Sequence, residues 1–311
     1  MPDFGLVCYN QKNMILVTGG TGFIGRSLVH HLLQDGQQVR MLVHPSSTSP
    51  NLPKGIRMDV AVCSLADERG LQAAMQGIDL IFHLASAGRM ANPAELTVVD
   101  VEGTRAIVDA AQKKGIERVI FLSQINADKN SLFAMSKAKA LAEEALVKSK
   151  LNYSILRATT IFGAQDHFTN TLSTMLRRNK VFFLMPGNGE VTLQPLWVQD
   201  LLTCLMLSVH DPRTYRRTIA VGGGEYFSYK EILKIIMRKM GIWRLLIPFS
   251  PAYLRTLNLW LNRQEKGTPY PNAWLDYLAA DRTCALDTLP KLFGLLPARF
   301  EKELRYLGKN K

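Results

Sequence analysis

Short runs of consecutive apolar residues alternate along the chain with longer segments in which apolar residues recur every three or four positions. The first run, Met14 to Val17, contains no polar residue, and glycines follow it at once. Behind the glycines, Leu28 and Leu32 recur at helical spacing. Unbroken apolar runs are typical of strands buried on both faces of a parallel sheet, and the wider spacing is typical of amphipathic helices. The chain therefore begins with a predicted strand, a glycine turn and a helix.

The same alternation continues as far as Gly163. It predicts strands at 38–43, 57–62, 80–84, 119–122 and 153–156, and helices at 71–78, 94–114 and 131–149. Strands that alternate with helices build a parallel sheet with right-handed crossovers. We predict an α/β fold with a doubly wound parallel sheet of the Rossmann type, whose ligands bind at the carboxyl ends of the strands.

Beyond Gly163 the alternation loosens. Turns are predicted at 186–190 and 221–225, and residues 197–200 are predicted to return to the sheet edge. We predict a dinucleotide-binding domain over 14–163 and a smaller mixed lobe over 164–311, mainly for a substrate or partner. Residues 1–13 have no periodicity, which favours a disordered tail or a misassigned start.

Three glycines, Gly19, Gly22 and Gly25, stand between the first strand and the first helix. Free amides and the positive end of the helix dipole converge there, and a residue without Cβ lets a pyrophosphate approach the backbone. The spacing differs from the commoner G-x-G-x-x-G, but the strand before it and the helix after it give the context of a dinucleotide site. We expect the segment that includes Phe23 and Ile24 to hold the pyrophosphate.

The tip of the second strand bears on the choice between NAD and NADP. An acidic side chain there accepts from the ribose hydroxyls of NAD, whereas a basic one accommodates the 2′-phosphate of NADP. The position falls near His44, with no Asp or Glu close by. Arg26 and Arg40 either supply positive charge or are ordinary solvated residues. NADP(H) is favoured, and NAD(H) is the alternative.

Composition limits the class of protein. A chain of 311 residues with 47% hydrophobic content can bury a large core. No run of eighteen apolar residues is present, and the N-terminus lacks a basic segment followed by an apolar one, so neither a membrane span nor a secretion signal is predicted. The scattered cysteines favour reduced thiols in the cytoplasm and argue against a metal site. They are Cys8, Cys63, Cys204 and Cys284.

Positive charge is concentrated in the last third of the chain. Residues 1–210 carry 20 basic and 17 acidic side chains, whereas residues 211–311 carry 18 and 9. The excess points to an acidic substrate, an anionic membrane surface or an acidic protein partner near that lobe. Nucleic acid is not predicted as a partner, because no helix-turn-helix, zinc finger or stacking-sheet motif accompanies the charge.

A basic and aromatic helix is predicted to start at Ser250-Pro251. Its apolar face is predicted to carry Tyr253, Leu254, Leu257, Trp260 and Leu261, with Arg255, Asn258 and Asn262 opposite. One interpretation is an ordinary lobe helix with that face on the core. The other is that the whole stretch 238–266 lies at a membrane interface, peripheral to the bilayer, since its six basic residues and one acidic residue are interleaved with aromatic residues. The aromatic residues are Trp243, Phe249, Tyr253 and Trp260.

Several motifs together resemble the extended and atypical short-chain dehydrogenase/reductases, which are epimerase/dehydratase-like proteins. They are TGGTGFIG at 18–25, HLAS at 83–86, VDVEGT at 99–104, IFLSQ at 120–124, SKAKALAEEAL at 136–146, LRATTIFG at 156–163 and QPLWVQDL at 194–201. The chain is most similar to the branch related to the nucleotide-binding accessory subunit of respiratory complex I. The resemblance covers essentially everything after residue 13.

The resemblance implies a catalytic Ser, Tyr and Lys. It puts the serine at Ser123 and the lysine at Lys137, which also holds the nicotinamide ribose, and it leaves Phe133 at the tyrosine position. A phenyl ring has no proton to transfer, so Phe133 is neither acid nor base. Three outcomes follow: catalysis is lost, a substrate needing no protein acid is used, or Lys137, Asp166 or His167 transfers the proton.

The resemblance also implies residues at the adenosine end. Ser64 replaces the usual adenine-binding Asp, Leu65 flanks adenine, and Leu84 and Ala85 belong to the HLAS motif beside the cofactor. Asp100 replaces the Asn of the Asn-Val-x-Gly-Thr helix. Two functions remain open: an NAD(P)-dependent oxidoreductase or epimerase acting on an unknown small molecule, and a non-catalytic, nucleotide-bound scaffold or assembly factor that docks through its basic lobe.

Overall fold

The computed structural model describes residues 14–45, 58–88, 90–263 and 271–308. The strands are β1 Met14–Thr18, β2 Gln38–Val43, β3 Asp59–Val62, β4 Leu80–His83, β5 Arg118–Gln124, β6 Asn152–Ala158, β7 Thr160–Phe162, β8 Phe182–Pro186, β9 Thr192–Leu193, β10 Pro195–Trp197, β11 Arg217–Val221, β12 Phe227–Ser228 and β13 Leu245–Phe249. The helices are α1 Phe23–Gln34, α2 Glu68–Ala74, α3 Pro93–Leu96, α4 Gly103–Lys113, α5 Ala134–Lys148, α6 Thr169–Arg178, α7 Val198–Leu207, α8 Tyr229–Met240, α9 Pro251–Arg263, α10 Asn272–Tyr277 and α11 Phe300–Glu303.

Seven parallel strands form the main sheet in the order β11-β6-β5-β4-β1-β2-β3. Along β1, Ile15 and Val17 pack on one face of the sheet, and Leu16 packs on the other. Both faces are covered by helices, which is why the apolar run of β1 is unbroken. The strand order reverses between β1 and β4, and this switch point is where doubly wound sheets bind ligands. The predicted fold class is confirmed.

A third apolar cluster lies outside the sheet and is built from residues beyond β6. It includes Phe162, Phe183, Tyr229 and Leu254. The same part of the chain forms three small two-stranded sheets, β10-β7, β12-β9 and β13-β8. The predicted return of 197–200 to the main sheet edge is wrong: β10 pairs with β7, and the edge is occupied by β11. The Gly163 domain boundary stays a prediction.

Two predicted helices differ in detail. A π-helical turn over Thr97–Glu102 interrupts the helix predicted for 94–114. The helix predicted from residue 131 begins at Ala134, because the Phe133 amide bonds to the Ser131 hydroxyl 3.1 Å away and this local turn competes with the helix. Turns at Gly187, Gly189 and Gly115 adopt positive φ angles.

The predicted apolar face of α9 is wrong. Tyr253 and Trp260 are 70% and 54% exposed, whereas Leu254 and Asn258 are buried. The Asn258 amide donates to Asn272 Oδ1 at 3.0 Å, so a hydrogen bond to α10 satisfies a buried polar group that the pattern assigned to solvent. Among the described residues, no helix is long and apolar enough to cross a membrane.

Candidate functional site

The glycine turn after β1 accepts no side chain at two of its positions. Gly19 has φ +71°, and a Cβ there would lie 2.6 Å from the Leu84 carbonyl carbon. A Cβ on Gly25 would lie 2.1 Å from the Gly19 carbonyl oxygen, so the missing side chain lets α1 pack against the turn. Gly22 caps the helix without a side-chain hydrogen bond. The backbone is therefore shaped so that the helix start stays open.

The first turn of α1 provides the anion-binding groups. Its leading amides have no intrahelical acceptor, and the N-cap glycine supplies no side-chain oxygen for them. The amides of Phe23 and Ile24 belong to this turn, and Arg26 N bonds to the Gly22 carbonyl at 2.9 Å. Amides and dipole together favour a pyrophosphate at this point. The assignment of this segment to the pyrophosphate stays a prediction.

An adenosine-sized cavity of about 360 Å³ opens beside the turn. It is lined by Thr18, Gly19, Thr21, Gly22, Leu42, His44, Cys63, Ser64, Leu65, Ala66, Leu84, Ala85, Ser86, Ala87, Val98 and Val99. Seven of the residues predicted to contact the cofactor therefore line this cavity. They are Gly19, Gly22, His44, Ser64, Leu65, Leu84 and Ala85. The Ser64 hydroxyl accepts from the Ala66 amide at 3.2 Å and retains acceptor capacity.

Leu65 is fixed in the cavity wall by a glycine on a neighbouring helix. A Cβ on Gly103 would lie 2.6 Å from Leu65 Cδ1. Only glycine lets the Leu65 side chain pack this close to the start of α4. Close packing against Leu65 therefore explains the glycine of the VDVEGT motif.

The two arginines predicted to attract a 2′-phosphate point elsewhere. Arg40 pairs with Leu16, well before the end of β2, and its guanidinium bonds to Asp59 at 2.7 Å and to two carbonyls at 2.8 Å. Arg26 donates to Gln165 Oε1 at 2.8 Å, on the loop after β7. Neither lines the adenosine cavity. The assignment of both to the adenosine ribose is corrected, because tertiary partners draw these side chains away.

A second cavity, of about 230 Å³, continues from the first past Leu84 and Ser86. Ser123, Lys139 and Met135 line it, as do Phe23 and Ile24 of the helix start. Since it begins where the pyrophosphate site ends, we refer to it as the nicotinamide-end cavity. A dinucleotide extended across the switch point would reach from one cavity into the other.

The lysine in this cavity is Lys139 and not Lys137. Lys137 is exposed on α5 and does not line the cavity, whereas Lys139 is 7% exposed, and its Nζ lies 2.9 Å from Asp100 Oδ1. Positions two residues apart lie about 200° apart around a helix, so only one can face the cofactor. The sequence assignment of Lys137 is corrected by two residues.

Asp100 is held by the π-helical turn on the other side of the ion pair. Its second oxygen accepts from the Ala87 amide at 3.0 Å. Lys139 Nζ also lies 5.2 Å above the Phe121 ring. A buried charge pair of this kind is stable only while both partners are present. The aspartate that replaces the family's asparagine therefore binds the cavity lysine directly.

With Lys139 as the cavity lysine, the position of the family's tyrosine also moves by two residues. Four residues before Lys139 stands Met135, which lines the nicotinamide-end cavity, whereas Phe133 lines only an outer cavity. A thioether has no transferable proton. Neither position 133 nor position 135 therefore carries a phenol or another proton donor. The conclusion drawn from Phe133 holds, with Met135 as the residue beside the lysine.

The Ser123 hydroxyl is engaged inside the protein. It donates to Glu143 Oε1 at 2.5 Å, and Arg157 holds the same carboxylate through contacts of 2.6 to 3.1 Å. The carboxylate raises the pKa of the Arg157 guanidinium above its ordinary value. Because a hydroxyl has one proton, a Ser123 that donates to Glu143 does not donate to a substrate carbonyl.

The remaining candidates for proton transfer differ in their surroundings. Asp166 is buried, and its carboxylate accepts from the Gly163 amide at 2.8 Å and from the Thr169 and Asn170 amides of the first turn of α6 at 2.7 and 3.2 Å. His167 is exposed at the rim of the nicotinamide-end cavity. The geometry gives Asp166 a structural role and leaves His167 at the cavity mouth.

His83, the last residue of β4, links neighbouring elements through its ring. Its ring nitrogens lie 2.7 Å from Thr18 Oγ1 and 2.9 Å from Thr104 Oγ1. Burial, reinforced by the Lys139 charge and opposed by Asp100, lowers the pKa of His83 to about 3. The imidazole is therefore neutral at physiological pH and links β1, β4 and α4.

An outer cavity of about 300 Å³ adjoins the nicotinamide end. The two cavities share Gln124, Met135, Tyr277 and Arg282. Tyr277 is buried, with its hydroxyl 2.7 Å from Thr160 Oγ1, and the Arg282 guanidinium lies 3.9 Å above its ring. Sequence reasoning missed both residues, because they follow no motif and reach the cleft only through the packing of α10.

Comparison with known proteins agrees with this geometry. The model of a family described as NAD(P)H-binding matches residues 19–179, more than half of the chain. The chain is similar to an NADH dehydrogenase [ubiquinone] 1 alpha subcomplex subunit 9 of Arabidopsis thaliana, with 26% identity over 94% of this chain and 78% of that protein. It is also similar to a ceramide reductase of Caulobacter vibrioides, with 24% identity over 93% of this chain and 84% of that protein.

A solved structure shares the fold. A short-chain dehydrogenase/reductase superfamily protein from Agrobacterium tumefaciens, with bound NAD, superposes with a TM-score of 0.69 at 19% identity, over 95% of each chain. The expected resemblance to atypical short-chain dehydrogenase/reductases is confirmed. With a glycine cradle that excludes Cβ atoms and a matching family model, the chain belongs to the NAD(P)H-binding family.

Proposed function

We propose that this protein carries NADP(H) as an accessory component and does not use it in the family's proton-coupled hydride transfer. The observation that carries the proposal is Met135, which faces the nicotinamide-end cavity four residues before Lys139. When bound, the cofactor supplies a hydride, and reduction of a carbonyl also needs a proton donor beside it. Neither Met135 nor Phe133 supplies one.

The partners of the other two catalytic-type residues support the same proposal. Ser123 donates to Glu143, and Lys139 is paired with Asp100. Both side chains are satisfied within the protein, so they serve cofactor positioning and stability better than chemistry on a substrate. The Arabidopsis relative is named as a subunit of an NADH dehydrogenase, which supports an accessory role.

The preference for NADP(H) rests on the adenosine cavity. His44 lines it at the end of β2, and no carboxylate lines it among the residues that the structure describes. An acidic side chain there would bind the ribose hydroxyls of NAD and repel a 2′-phosphate. We expect His44→Asp to shift the ratio of NADPH to NADH affinity toward NADH by about tenfold, or about 1.4 kcal/mol. Calorimetry with both nucleotides measures this ratio.

A second candidate function is a reductase in which Tyr277 replaces the missing phenol. Tyr277 lines both the nicotinamide-end cavity and the outer cavity. The relative from Caulobacter vibrioides is named a ceramide reductase, and it aligns over most of this chain. In this alternative, a substrate in the outer cavity would receive its proton from the Tyr277 hydroxyl.

Single-turnover assays with bound NADPH separate the two functions. Ketone, quinone and nucleotide-sugar substrates are compared in the wild type, Met135→Tyr and Tyr277→Phe, with Phe133→Tyr as a matched control. The proposal expects no turnover above background in the wild type. Wild-type turnover that falls about 100-fold or more in Tyr277→Phe would instead establish the reductase. Nucleotide titration of each variant verifies that the cofactor site is intact.

A further inference from the structure

Four large apolar side chains are exposed together on the C-terminal lobe. Val181, Phe182, Trp243 and Leu245 are 66%, 49%, 70% and 51% exposed. We call these four residues the Trp243 patch. Single exposed apolar residues are ordinary on a protein surface, whereas a group that includes a tryptophan marks an interaction site.

Strand pairing holds the patch together. Leu245 and Phe182 are register partners in the parallel pair β13-β8, and the Leu245 amide donates to the Val181 carbonyl at 3.0 Å. Trp243 precedes Leu245 by two residues. The Arg244 guanidinium ties this segment to the end of α6 by donating to the Leu176 carbonyl at 3.0 Å. The backbone under the patch is therefore fixed before any partner binds.

Basic residues are concentrated in the segments that carry the patch. The segments 171–182 and 229–249, which contain the patch, carry eight basic residues and one acidic residue. The basic residues are Arg177, Arg178, Lys180, Lys230, Lys234, Arg238, Lys239 and Arg244. Trp243 and Leu245 line a surface groove whose other wall includes Lys230 and Lys234 on α8. Apolar and cationic groups thus share one concave surface.

Of the four cations that line the groove, two are held by other groups of the protein, and two form no ion pair in the described part of the chain. Arg238 bonds to Glu301 at 3.0 Å, and Arg244 is used by backbone carbonyls. Lys230 and Lys234 are exposed and form no ion pair with the acidic residues that the structure describes. The groove therefore offers two lysine ammonium groups beside an exposed indole.

We propose that the Trp243 patch docks this protein on the surface of an anionic lipid bilayer, with Lys230 and Lys234 at the phosphate headgroups. Tryptophan is favoured at the bilayer interface, and lysine stems extend along apolar surface while their ammonium groups reach the headgroups. Protein interfaces are poor in lysine, whereas four of the eight cations here are lysines. The charge balance and the lysine content favour lipid over a protein partner.

The patch overlaps only in part with the stretch 238–266 that the sequence pattern indicated. It takes Trp243, from the α8–β13 connection, and Leu245, at the start of β13, from that stretch, and it adds Phe182 at the start of β8 and Val181 just before it. It goes beyond the proposed nucleotide function and does not depend on it, since no patch residue lines the cofactor cavities. Nucleotide binding and lipid binding can therefore fail separately.

Vesicle flotation of the full chain tests the proposal. Vesicles of phosphatidylcholine alone are compared with vesicles that also contain phosphatidylglycerol, at low and high salt. We expect binding only to the anionic vesicles and its loss at high salt. Trp243→Ala should weaken binding about tenfold. Lys230→Glu with Lys234→Glu should weaken it about 25-fold or more, at about fivefold for each lost cation.

Matched controls keep the test specific. Leu296 is 84% exposed but lies outside the patch, so Leu296→Ala controls for the loss of an exposed apolar group. Lys148→Glu with Lys150→Glu reverses two exposed charges on α5 or just beyond it. Both controls should bind vesicles like the wild type. NADPH titration verifies that every variant is folded.

Three results would overturn the proposal. The first is no vesicle binding at low salt by protein that still binds NADPH. The second is binding that Trp243→Ala and the lysine pair leave unchanged, which would put the lipid contact elsewhere. The third is concentration-dependent self-association that Trp243→Ala abolishes while vesicle binding is absent, which would make the patch an interface between copies.

Discussion

The two ends of the cofactor cleft are built from different parts of the polypeptide. At the adenosine and pyrophosphate end, the determinants are in the backbone: Gly19 and Gly25 lack room for a Cβ, and α1 begins without a side-chain cap. At the nicotinamide end, the determinants are side chains, and they bind one another, Ser123 to Glu143 and Lys139 to Asp100. The pyrophosphate end therefore offers backbone amides without intrahelical acceptors, whereas the polar side chains of the nicotinamide end are already paired with each other.

This contrast explains how binding and chemistry can separate within one fold. A pyrophosphate needs amides and a helix dipole, which survive side-chain substitution. Proton transfer needs particular side chains with their protons available, and the proposed function assigns the loss of such a group to Met135 at the tyrosine position. Under that proposal, the cofactor remains as a bound group without its usual proton donor.

The largest effect is expected from Gly25→Ala at the pyrophosphate end. The added methyl group would lie 2.1 Å from the Gly19 carbonyl oxygen, so α1 must move away from the turn. We expect NADPH affinity to fall about 1,000-fold, or about 4 kcal/mol, by calorimetry. Gly224→Ala is the control, because its φ lies outside the left-handed region and the nearest neighbour of the added Cβ, Pro297 Cβ, is 3.4 Å away. Equal affinity in Gly25→Ala and wild type would contradict the cradle.

A smaller effect is expected from Lys139→Met at the nicotinamide end. The change leaves the Asp100 carboxylate buried beside the Ala87 amide without its cation, which costs about 3 kcal/mol of unfolding free energy. Adding Asp100→Asn removes the charge and should recover most of the loss in urea unfolding. Lys137→Met is exposed and should change stability by less than about 0.5 kcal/mol. A large loss of stability in Lys137→Met would contradict the exposed position of this residue.

The smallest effect, about 1.4 kcal/mol at pH 5.5, concerns His83, between the two ends. Its folded pKa of about 3 lies below the ordinary value of 6.5, so the unfolded chain binds more protons at acid pH. Stability should therefore fall as pH drops from 6.5 toward 3, by about 1.4 kcal/mol per pH unit from this group. In His83→Gln the slope of unfolding free energy against pH should be shallower by that amount. The exposed His30→Gln should leave the slope unchanged.

Local sequence was a good guide wherever the chain's own pattern decides the structure. The β1 run, the glycine turn and α1 are neighbours in sequence, so their geometry follows from apolar spacing and from the absence of Cβ atoms. The order of alternating strands and helices likewise predicted the doubly wound sheet. Edge strand β11 was missed, because its short run at 217–221 lies where the alternation had already loosened.

The sequence by itself determined the fold class, the pyrophosphate cradle and the absence of a phenol on α5. Only the tertiary structure decided that Lys139 lines the nicotinamide-end cavity, that Arg26 and Arg40 bind Gln165 and Asp59, and that Trp243 and Phe182 lie on one surface. The physical reason is that side-chain partners come from segments far apart in the chain. Their meeting is set by packing and helix rotation, and local periodicity does not encode it.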